Sequence, residues 1–492
     1  MEFLLSPLGR SFLAVIGLLG LVALAEGLRL LGVRTGTTRG LVHVGVGGFV
    51  VVTPWIFSGP GPVYGLSALF VGGNALTRAR GWWTATHGGR QKSWGTVLFP
   101  LAVLPCLAAT WSVDPGRTPI FQTAFLVLAV ADPIATWVGT AMARPNEYRW
   151  EGDHKSLFGS TAFFVMAFAA TVGVLMWTRW AHHLDRPTGT LLAAAGLVAL
   201  VTTVVEAVSR RGWDNFFVPL AGVTVLLAVG DAGVRMVWIG VVGGAAFGVV
   251  AYWMGALTRR ASVLGALFAS LLVIEGWAWL LPGLAFFVLS SSLSFLPRPS
   301  SSVTAPGSTD RAARSVGQVY ANGGLAWAFL LGHVAWGDPL LYAGAMGAFA
   351  AAAADTWATE LGTRFPARAW SVRTGDLVPA GTSGAVTMGG TVAAVVGAGT
   401  VVGAGFLGGG FLQGAQVQQA MAVLVAGTIG MGVDSLIGAT IQAQYEHPQS
   451  KALIDEPPRP SSRPVRGFPL ITNEVVNLAG TAVGAIAAVI LC

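Results

Sequence analysis

Charged side chains are scarce in this sequence: Asp, Glu, Lys and Arg supply 10% of its 492 residues, while Ala, Val, Ile, Leu, Met, Phe, Trp, Tyr and Cys supply 54%. A soluble domain carries about 25% charged residues, so the composition excludes a soluble enzyme, a disordered chain and a nucleic-acid-binding domain. Cysteine is nearly absent. Cys106 lies in an apolar run and Cys492 at the terminus, which gives neither a disulfide framework nor a metal motif. There is no Gly-x-x-x-x-Gly-Lys-[Ser/Thr] segment and no kinase Gly-rich loop, which excludes a P-loop or protein-kinase fold. Without His-Glu-x-x-His or a Cys-x-x-Cys pair, a zinc hydrolase has no support. No Gly-x-Ser-x-Gly marks a nucleophilic serine. Short alternating strands are missing too, and with them a membrane β-barrel.

Long apolar runs take their place, rich in Ala and in Gly (67 residues), the small residues on which membrane helices pack. At roughly 20 residues per crossing, the length accommodates about 14–16 spans. The runs predict an all-α polytopic transmembrane protein with helices over 11–31, 41–57, 62–77, 95–112, 119–143, 157–178, 189–208, 215–230, 234–257, 262–276, 278–296, 316–333, 339–361, 384–406, 417–441 and 469–490. The first, Ser11–Leu31, lacks a small-residue cleavage site and reads as an anchor. Basic residues check the assignment. Of the 29 Lys and Arg, 24 fall on one side of it, and only Arg10, Arg117, Arg179, Arg186 and Arg235 on the other. The positive-inside rule makes the rich side cytoplasmic. In a bacterial-type inner or plasma membrane the N-terminus is then outside, and residues 144–156 and 364–383 inside. Pro297–Thr309 reads as a Pro/Ser-rich loop, and His447–Pro464, with five prolines, as a linker that cannot continue a helix. A domain boundary is expected near residue 258, dividing 1–258 from 259–492.

Ionisable residues inside apolar runs are costly and mark function. Asp132 interrupts one run in Ala131-Asp132-Pro133-Ile134-Ala135. Gly152-Asp153-His154-Lys155-Ser156 leads into a helix through Gly159-Ser160, and a Gly/Ser loop with a lysine at a helix N-terminus suits phosphate. Glu206 and Trp213-Asp214-Asn215 follow; Arg39, His43 and Gly95-Thr96 precede. All map to the cytoplasmic side. Asp132 and Asp214 are candidate Mg²⁺ ligands, with Lys155 and Arg39 as phosphate-neutralising cations and Glu206 as a base or metal ligand. His43, Ser156 and Asn215 are candidate substrate or nucleotide contacts.

In this order, Arg39 with His43, Gly95-Thr96, Asp132-Pro133-Ile134-Ala135, Lys155-Ser156 with Gly159-Ser160, Glu206, Asp214-Asn215 and Pro219 resemble the membrane-embedded phytol kinase and dolichol kinase family. The resemblance covers most of residues 35–225. It implies phosphate transfer to a polyprenyl-type alcohol, with CTP as the usual donor. One departure is Gly40, where that family often has Lys.

The second half has its own set. Arg314-Ser315, Gln318 and Asn322 open a helix, and Asp355-Thr356-Trp357-Ala358-Thr359-Glu360-Leu361-Gly362 ends one. Asp355 and Glu360 are five apart and diverge in azimuth on an α-helix unless it breaks. Gly381-Thr382-Ser383-Gly384 offers amides and hydroxyls to phosphate; a tight glycine turn explains it equally well. Asp434-Ser435-Leu436 with Gln442, and Asn473-Glu474-Val475-Val476-Asn477, complete the set. Asp355, Glu360 and Asp434 are the candidate catalytic acids, Asp355 and Asp434 also as Mg²⁺ ligands. Arg314, Asn322, Thr382, Ser383, Gln442, Asn473, Glu474 and Asn477 are candidate binding residues. These strings resemble the phytyl-phosphate kinase family of plastids, which implies phosphorylation of a prenyl monophosphate to the diphosphate. Asp132-Pro133-Ile134-Ala135 with Gly139 also parallels Asp355-Thr356-Trp357-Ala358 with Gly362, a pattern compatible with an internal repeat.

The expectation is therefore a bifunctional isoprenoid-salvage kinase using Mg²⁺ or Mn²⁺ and CTP, with prenyl alcohol, prenyl phosphate and membrane lipid as partners and no nucleic acid. Two alternatives stand beside it: a CTP-dependent lipid-phosphate cytidylyltransferase, and a transporter. A transporter holds its acids near mid-membrane, whereas these gather toward one face.

Overall fold

The long apolar runs fold as helices in the computed structural model, which describes residues 6–82, 93–141, 147–150, 153–181, 187–296, 313–364, 368–378, 382–411, 413–447, 453–459 and 462–492. The Pro297–Thr309 loop, Gly152 and Gly381 lie outside the described residues. The chain divides into two compact units, Met1–Val237 and Trp238–Cys492. The first contains α1 (Pro7–Leu30), α2 (Thr35–Ile56), α3 (Gly61–Ala79), α4 (Gly95–Ala109), α5 (Thr118–Ala141), α6 (Leu157–Ala181), α7 (Thr188–Val208) and α8 (Asp214–Ala232). The division falls inside α9 (Val234–Trp253). The second unit continues with α10 (Arg259–Ile274), α11 (Trp277–Leu284), a π-helix (Ala285–Leu289) and α12 (Ser290–Phe295). It ends with α13 (Val316–Trp336), α14 (Pro339–Gly362), α15 (Met388–Leu407), α16 (Gln416–Thr440) and α17 (Asn473–Leu491).

Eleven described helical segments are long and apolar enough to cross a membrane, and the protein is an all-α, multi-pass membrane protein. α3, α13 and α14 also have spanning length. They are less apolar because they carry Asn74, Gln318, Asn322, Asp355 and Glu360, polar residues that line cavities.

The break between units lies about 20 residues before the expected boundary at 258. The reason is a pair of small-residue ridges. Gly240, Gly244 and Gly248 of α9 face Ser270, Ala266 and Ser262 of α10; a Cβ on Gly244 would sit 2.3 Å from the Ala266 carbonyl oxygen. Such contacts let two helix backbones touch, so α9 packs with the helix that follows it.

Three small antiparallel sheets stand where loops are expected. β1 (Glu147–Trp150) pairs with β2 (Asp153–Ser156) between α5 and α6. β3 (Ala369–Ser371) pairs with β4 (Leu377–Val378) and β5 (Ala385–Val386) between α14 and α15. β6 (Tyr445–Glu446) pairs with β7 (Leu453–Ile454), so part of the expected 447–464 linker is built structure. α15 starts at Met388, four residues after the expected start, because Gly384 makes a turn at φ +76° against Ala439 and Thr387 caps the helix.

Close approaches set the depth of each site. In the first unit a Cβ on Gly47 of α2 would lie 2.4 Å from Ala129 Cβ of α5. In the second, Gly427 and Gly430 of α16 rest on Ala350 and Ala351 of α14, Gly347 rests on the Gly484 carbonyl, and Gly480 of α17 on the Gly430 carbonyl. Short polar side chains on three such helices, Asp355, Asp434 and Asn477, can then meet. We expect Gly47→Val to destabilise the protein by about 1–3 kcal/mol through overpacking, read as a lower thermal midpoint in detergent. An unchanged midpoint would contradict the contact.

Candidate functional site

In the first unit the predicted residues are brought together from the first half of α2, the middle of α5 and the start of α8. α2 begins at Thr35, earlier than the periodicity places it, so Arg39 and His43 lie one turn apart on the same helix. His43 Nε2 is 3.0 Å from the Leu128 carbonyl oxygen and 3.7 Å from Asp132 Oδ2, with its ring edge-on to Phe99. A Cβ on Gly40 would meet an indole carbon of Trp137 at 3.0 Å, so a larger residue there requires the Trp137 ring to shift. Asp214 opens α8, and its Oδ1 accepts from Asn215 N (3.1 Å) and Nδ2 (3.2 Å). The loop before it is held to the start of α4: Trp94 N donates to the Arg211 carbonyl oxygen (2.7 Å). At φ +90°, Gly212 lies where a Cβ would meet Gly95 N at 2.4 Å.

Arg39, His43, Asp132, Asp214 and Asn215 line one cavity of about 340 Å³. Its apolar walls include Val46, Phe49, Leu66, Phe70 and Phe99. Asn74 and Trp137 also line it. They are absent from the sequence-derived set because a lone Asn or Trp in an apolar run carries no local signal of a partner.

Three predicted residues stand behind that cavity. Lys155 forms an ion pair with Glu206, whose side chain is only 7% exposed. Burial works against the Lys155 charge, but Glu206, Asp214 and Asp132 outweigh it and hold its pKa above the usual lysine range. Glu206 is thus a counter-ion, and neither it nor Lys155 lines the cavity. Ser156 is a cap: its Oγ accepts from Gly159 N (3.0 Å) and fills the space that a Cβ on Gly139 would need. The structure thus places Glu206, expected as a base or metal ligand, in an ion pair and Ser156, expected as a nucleotide contact, at a helix cap, both outside the cavity lining.

In the second unit Asp355 of α14 and Asp434 of α16 bring their carboxyl groups within hydrogen-bonding reach of each other. Asn477 of α17 stands 3.3 Å from Asp434 Oδ2, with its amide turned so that the nitrogen faces the acid, and 3.3 Å from Asn322 Oδ1. Ser383 Oγ donates to Gln442 Oε1 (2.8 Å). These residues, with Arg314, Thr382 and Asn473, line a polar cavity of about 300 Å³. The helix does not break between Asp355 and Glu360, and the two diverge. Glu360 reaches the cavity wall but pairs with Arg364 (3.3 Å), which also donates to the Leu293 carbonyl oxygen (2.7 Å). It anchors the end of α14. Glu474 does not line the cavity; it accepts from Thr472 Oγ1 (2.8 Å) beside Gly317.

Asp455 is the acid that sequence reasoning missed. It follows β7, lines the cavity and faces Gln444 and Gln442; burial raises its pKa and those amides hold part of the rise back. Gln442 lies in the bend that ends α16 and Gln444 two residues on, at the bridge to Arg466.

The two units use one helix-pair device. In the first, Ala135 and Gly139 of α5 meet Ser156 and Gly159 at the start of α6. In the second, Ala358 and Gly362 of α14 meet Thr387 and Gly390 at the start of α15, and Thr387 Oγ1 accepts from Gly390 N (2.9 Å). Asp132 and Asp355 sit at the same place on the first helix of each pair, three residues before the alanine. Gln318 and Asn322 line the second cavity four residues apart near the start of α13, as Arg39 and His43 do on α2.

Among the described residues no group of three or more His, Cys, Asp or Glu is arranged to hold a metal ion. Mg²⁺ needs less, since it keeps several waters and binds through one or two carboxylates plus substrate phosphates. Facing carboxylates also repel unless a proton or cation lies with them, so the Asp355–Asp434 pair fits a divalent cation.

Fold and sites together define a polytopic membrane protein with carboxylate-lined cavities beside apolar space. The chain belongs to the phytol kinase-like family of integral membrane proteins. It is similar to the phytol kinase of Synechocystis sp., 30% identical over 193 residues, 39% of this chain and 78% of that protein. It is also similar to protein PGR of Arabidopsis thaliana, 32% identical over 145 residues, 28% of this chain and 50% of that protein. An uncharacterised membrane protein of Methanocaldococcus jannaschii is 28% identical over 223 residues, 45% of this chain and 79% of that protein. Residues 242–485, within the second unit, match the family described as integral membrane protein DUF92. No solved structure matches the chain.

Proposed function

We propose that the chain is a bifunctional isoprenoid kinase: the first unit phosphorylates a prenyl alcohol and the second converts the monophosphate to the diphosphate, with CTP as donor. The observation that carries this is the pairing of each acid, Asp132 and Asp355, with a second acid in a cavity built on the same helix-pair device. Similarity to a phytol kinase supports the first reaction. The first cavity has the form an amphiphilic alcohol needs, with a polar end at Asp132 and Asp214 and apolar walls beyond. The excess of basic residues on one side supports cytoplasmic sites, within reach of a nucleotide.

Phosphoryl transfer needs positioning and charge neutralisation more than covalent help. In the first unit Arg39 meets the nucleotide phosphates. Lys155, kept charged by Glu206, lowers the repulsion between Asp132 and Asp214. In the second, Thr382 and the hydrogen-bonded Ser383–Gln442 pair line the cavity where the phosphates would lie, Asn477 orients Asp434, and Arg314 faces the phosphate of the acceptor. Mg²⁺ would be held by Asp132 and Asp214, or by Asp355 and Asp434, and would supply positive charge against the phosphates. The acceptor oxygen attacks the γ-phosphorus, the bond to the β-phosphate oxygen breaks and CDP leaves; the alcohol gives up its hydroxyl proton to water, whereas the monophosphate oxygen is already anionic.

Purified protein incubated with labelled CTP and geranylgeraniol tests this. CDP release with a prenyl phosphate product is expected, and pyrophosphate release instead would make it a cytidylyltransferase. No turnover with any nucleoside triphosphate would favour transport. Excess EDTA should abolish both phosphorylations, and full turnover in EDTA contradicts the cation role given to the paired acids.

A further inference from the structure

Beside the polar cavity of the second unit lies an apolar one of about 80 Å³, walled by rings from Phe247, Phe268, Phe286, Phe287 and Trp327. Phe268 stacks on Trp327 at 4.9 Å, and Phe247 meets Phe287 edge-on at 5.0 Å. Arg314, Gln318 and Asn322 line both cavities. The Arg314 guanidinium lies 5.8 Å from the Phe287 ring and 6.0 Å from that of Phe286, and it donates no hydrogen bond to any described residue. The π-helix Ala285–Leu289 brings these two consecutive rings to the same guanidinium. Such bulges recur at functional sites.

A buried arginine that feels the charge of Glu360, with apolar rings on one side and the polar cavity on the other, matches an amphiphile with an anionic head. Its planar fork suits phosphate oxygens, and the rings suit a hydrocarbon that begins immediately behind that phosphate. An acyl lipid fits less well, since its phosphate is separated from its chains by glycerol. We propose that the cavity between α10, the π-helix and α13 binds the isoprene units next to the phosphate of a prenyl monophosphate, with Arg314 holding that phosphate at the border of the polar cavity. This rests on the reading of the second unit as a prenyl-phosphate kinase and adds where its acceptor lies.

Gly323 offers a handle. A Cβ there would meet Phe268 at 3.6 Å, an ordinary contact, so a longer side chain projects into the cavity without striking backbone. The full chain in lipid nanodiscs is labelled with a diazirine-bearing C20 prenyl monophosphate, and the labelled peptides are mapped. Label is expected on residues 283–287 and 323–330. Unlabelled geranylgeranyl monophosphate should compete at least tenfold better than geranylgeraniol or phosphatidate, as about 1.5–3 kcal/mol for a hydrogen bond to a charged group implies. Gly323→Leu should remove the label from both peptides. Arg314→Gln should keep the label and bring the monophosphate preference close to one. Label spread over other helices, or phosphatidate competing equally, overturns the proposal. Turnover of the monophosphate is measured on the same samples. A labelled cavity without turnover refutes the kinase reading alone, whereas turnover without cavity labelling refutes the tail site alone.

Discussion

Asp132→Asn should abolish phosphorylation of the alcohol and leave phosphorylation of the monophosphate intact; Asp355→Asn should do the reverse, so that prenyl monophosphate accumulates. Each change is close to isosteric and removes one negative charge. The helix contacts around both acids are made by glycine and alanine, so the fold should survive. What is lost is half of a carboxylate pair: Asp132 works beside Asp214, and Asp355 beside Asp434. Losing a group that organises charge in the transition state costs a factor on the order of 10²–10³ in rate. Both steps measured on both purified variants separate three cases. Crossed losses support two sites. Loss of both reactions in either variant would mean one composite site. Lower yield with unchanged specific activity would reduce both acids to structural roles.

The second large effect concerns the pair behind the first cavity. Removing one member of a buried ion pair costs about 3–5 kcal/mol because it strands the other charge, but the two members here are not equivalent. Lys155 faces Glu206, Asp214 and Asp132. Lys155→Met leaves three carboxylates without their shared cation and should reach that range. Glu206→Gln leaves Lys155 with two acids still nearby and should cost less, about 1–3 kcal/mol. The double variant should recover part of the loss. Thermal unfolding in detergent, with the variants measured side by side, gives the order. A Glu206→Gln protein less stable than Lys155→Met would falsify the shared-cation arrangement.

The positions of the helices were legible from the sequence because lipid demands continuous apolar runs with every backbone group bonded inside its own segment. The helix carrying Asp132, expected over 119–143, spans Thr118–Ala141, and the one carrying Asp434, expected over 417–441, spans Gln416–Thr440. The acids were legible for the same reason, since a charge in such a run is costly. Their partners were not. Glu206 and Asp132 look alike in sequence, as lone acids in apolar helices. Only the fold makes one a counter-ion to Lys155 and the other a cavity wall. Glu360 and Asp355 share a motif, yet five residues of helix turn them apart, one to Arg364 and the other to Asp434.

Asp455 shows the opposite failure. It lies in a proline-rich stretch that composition marks as a linker, and its place arises from the pairing of β7 with β6 just before it and from the two glutamines it faces. The sequence by itself determined the medium, the helices and which side chains are too expensive to be idle. Tertiary structure alone decided which of them meet, because that depends on where glycine and alanine let helix backbones touch: Gly47 on Ala129, Gly427 on Ala350, and Gly480 beside Asp434. A short carboxylate reaches its partner only where the helices are that close, and an azimuth read from one helix says nothing about the helix opposite.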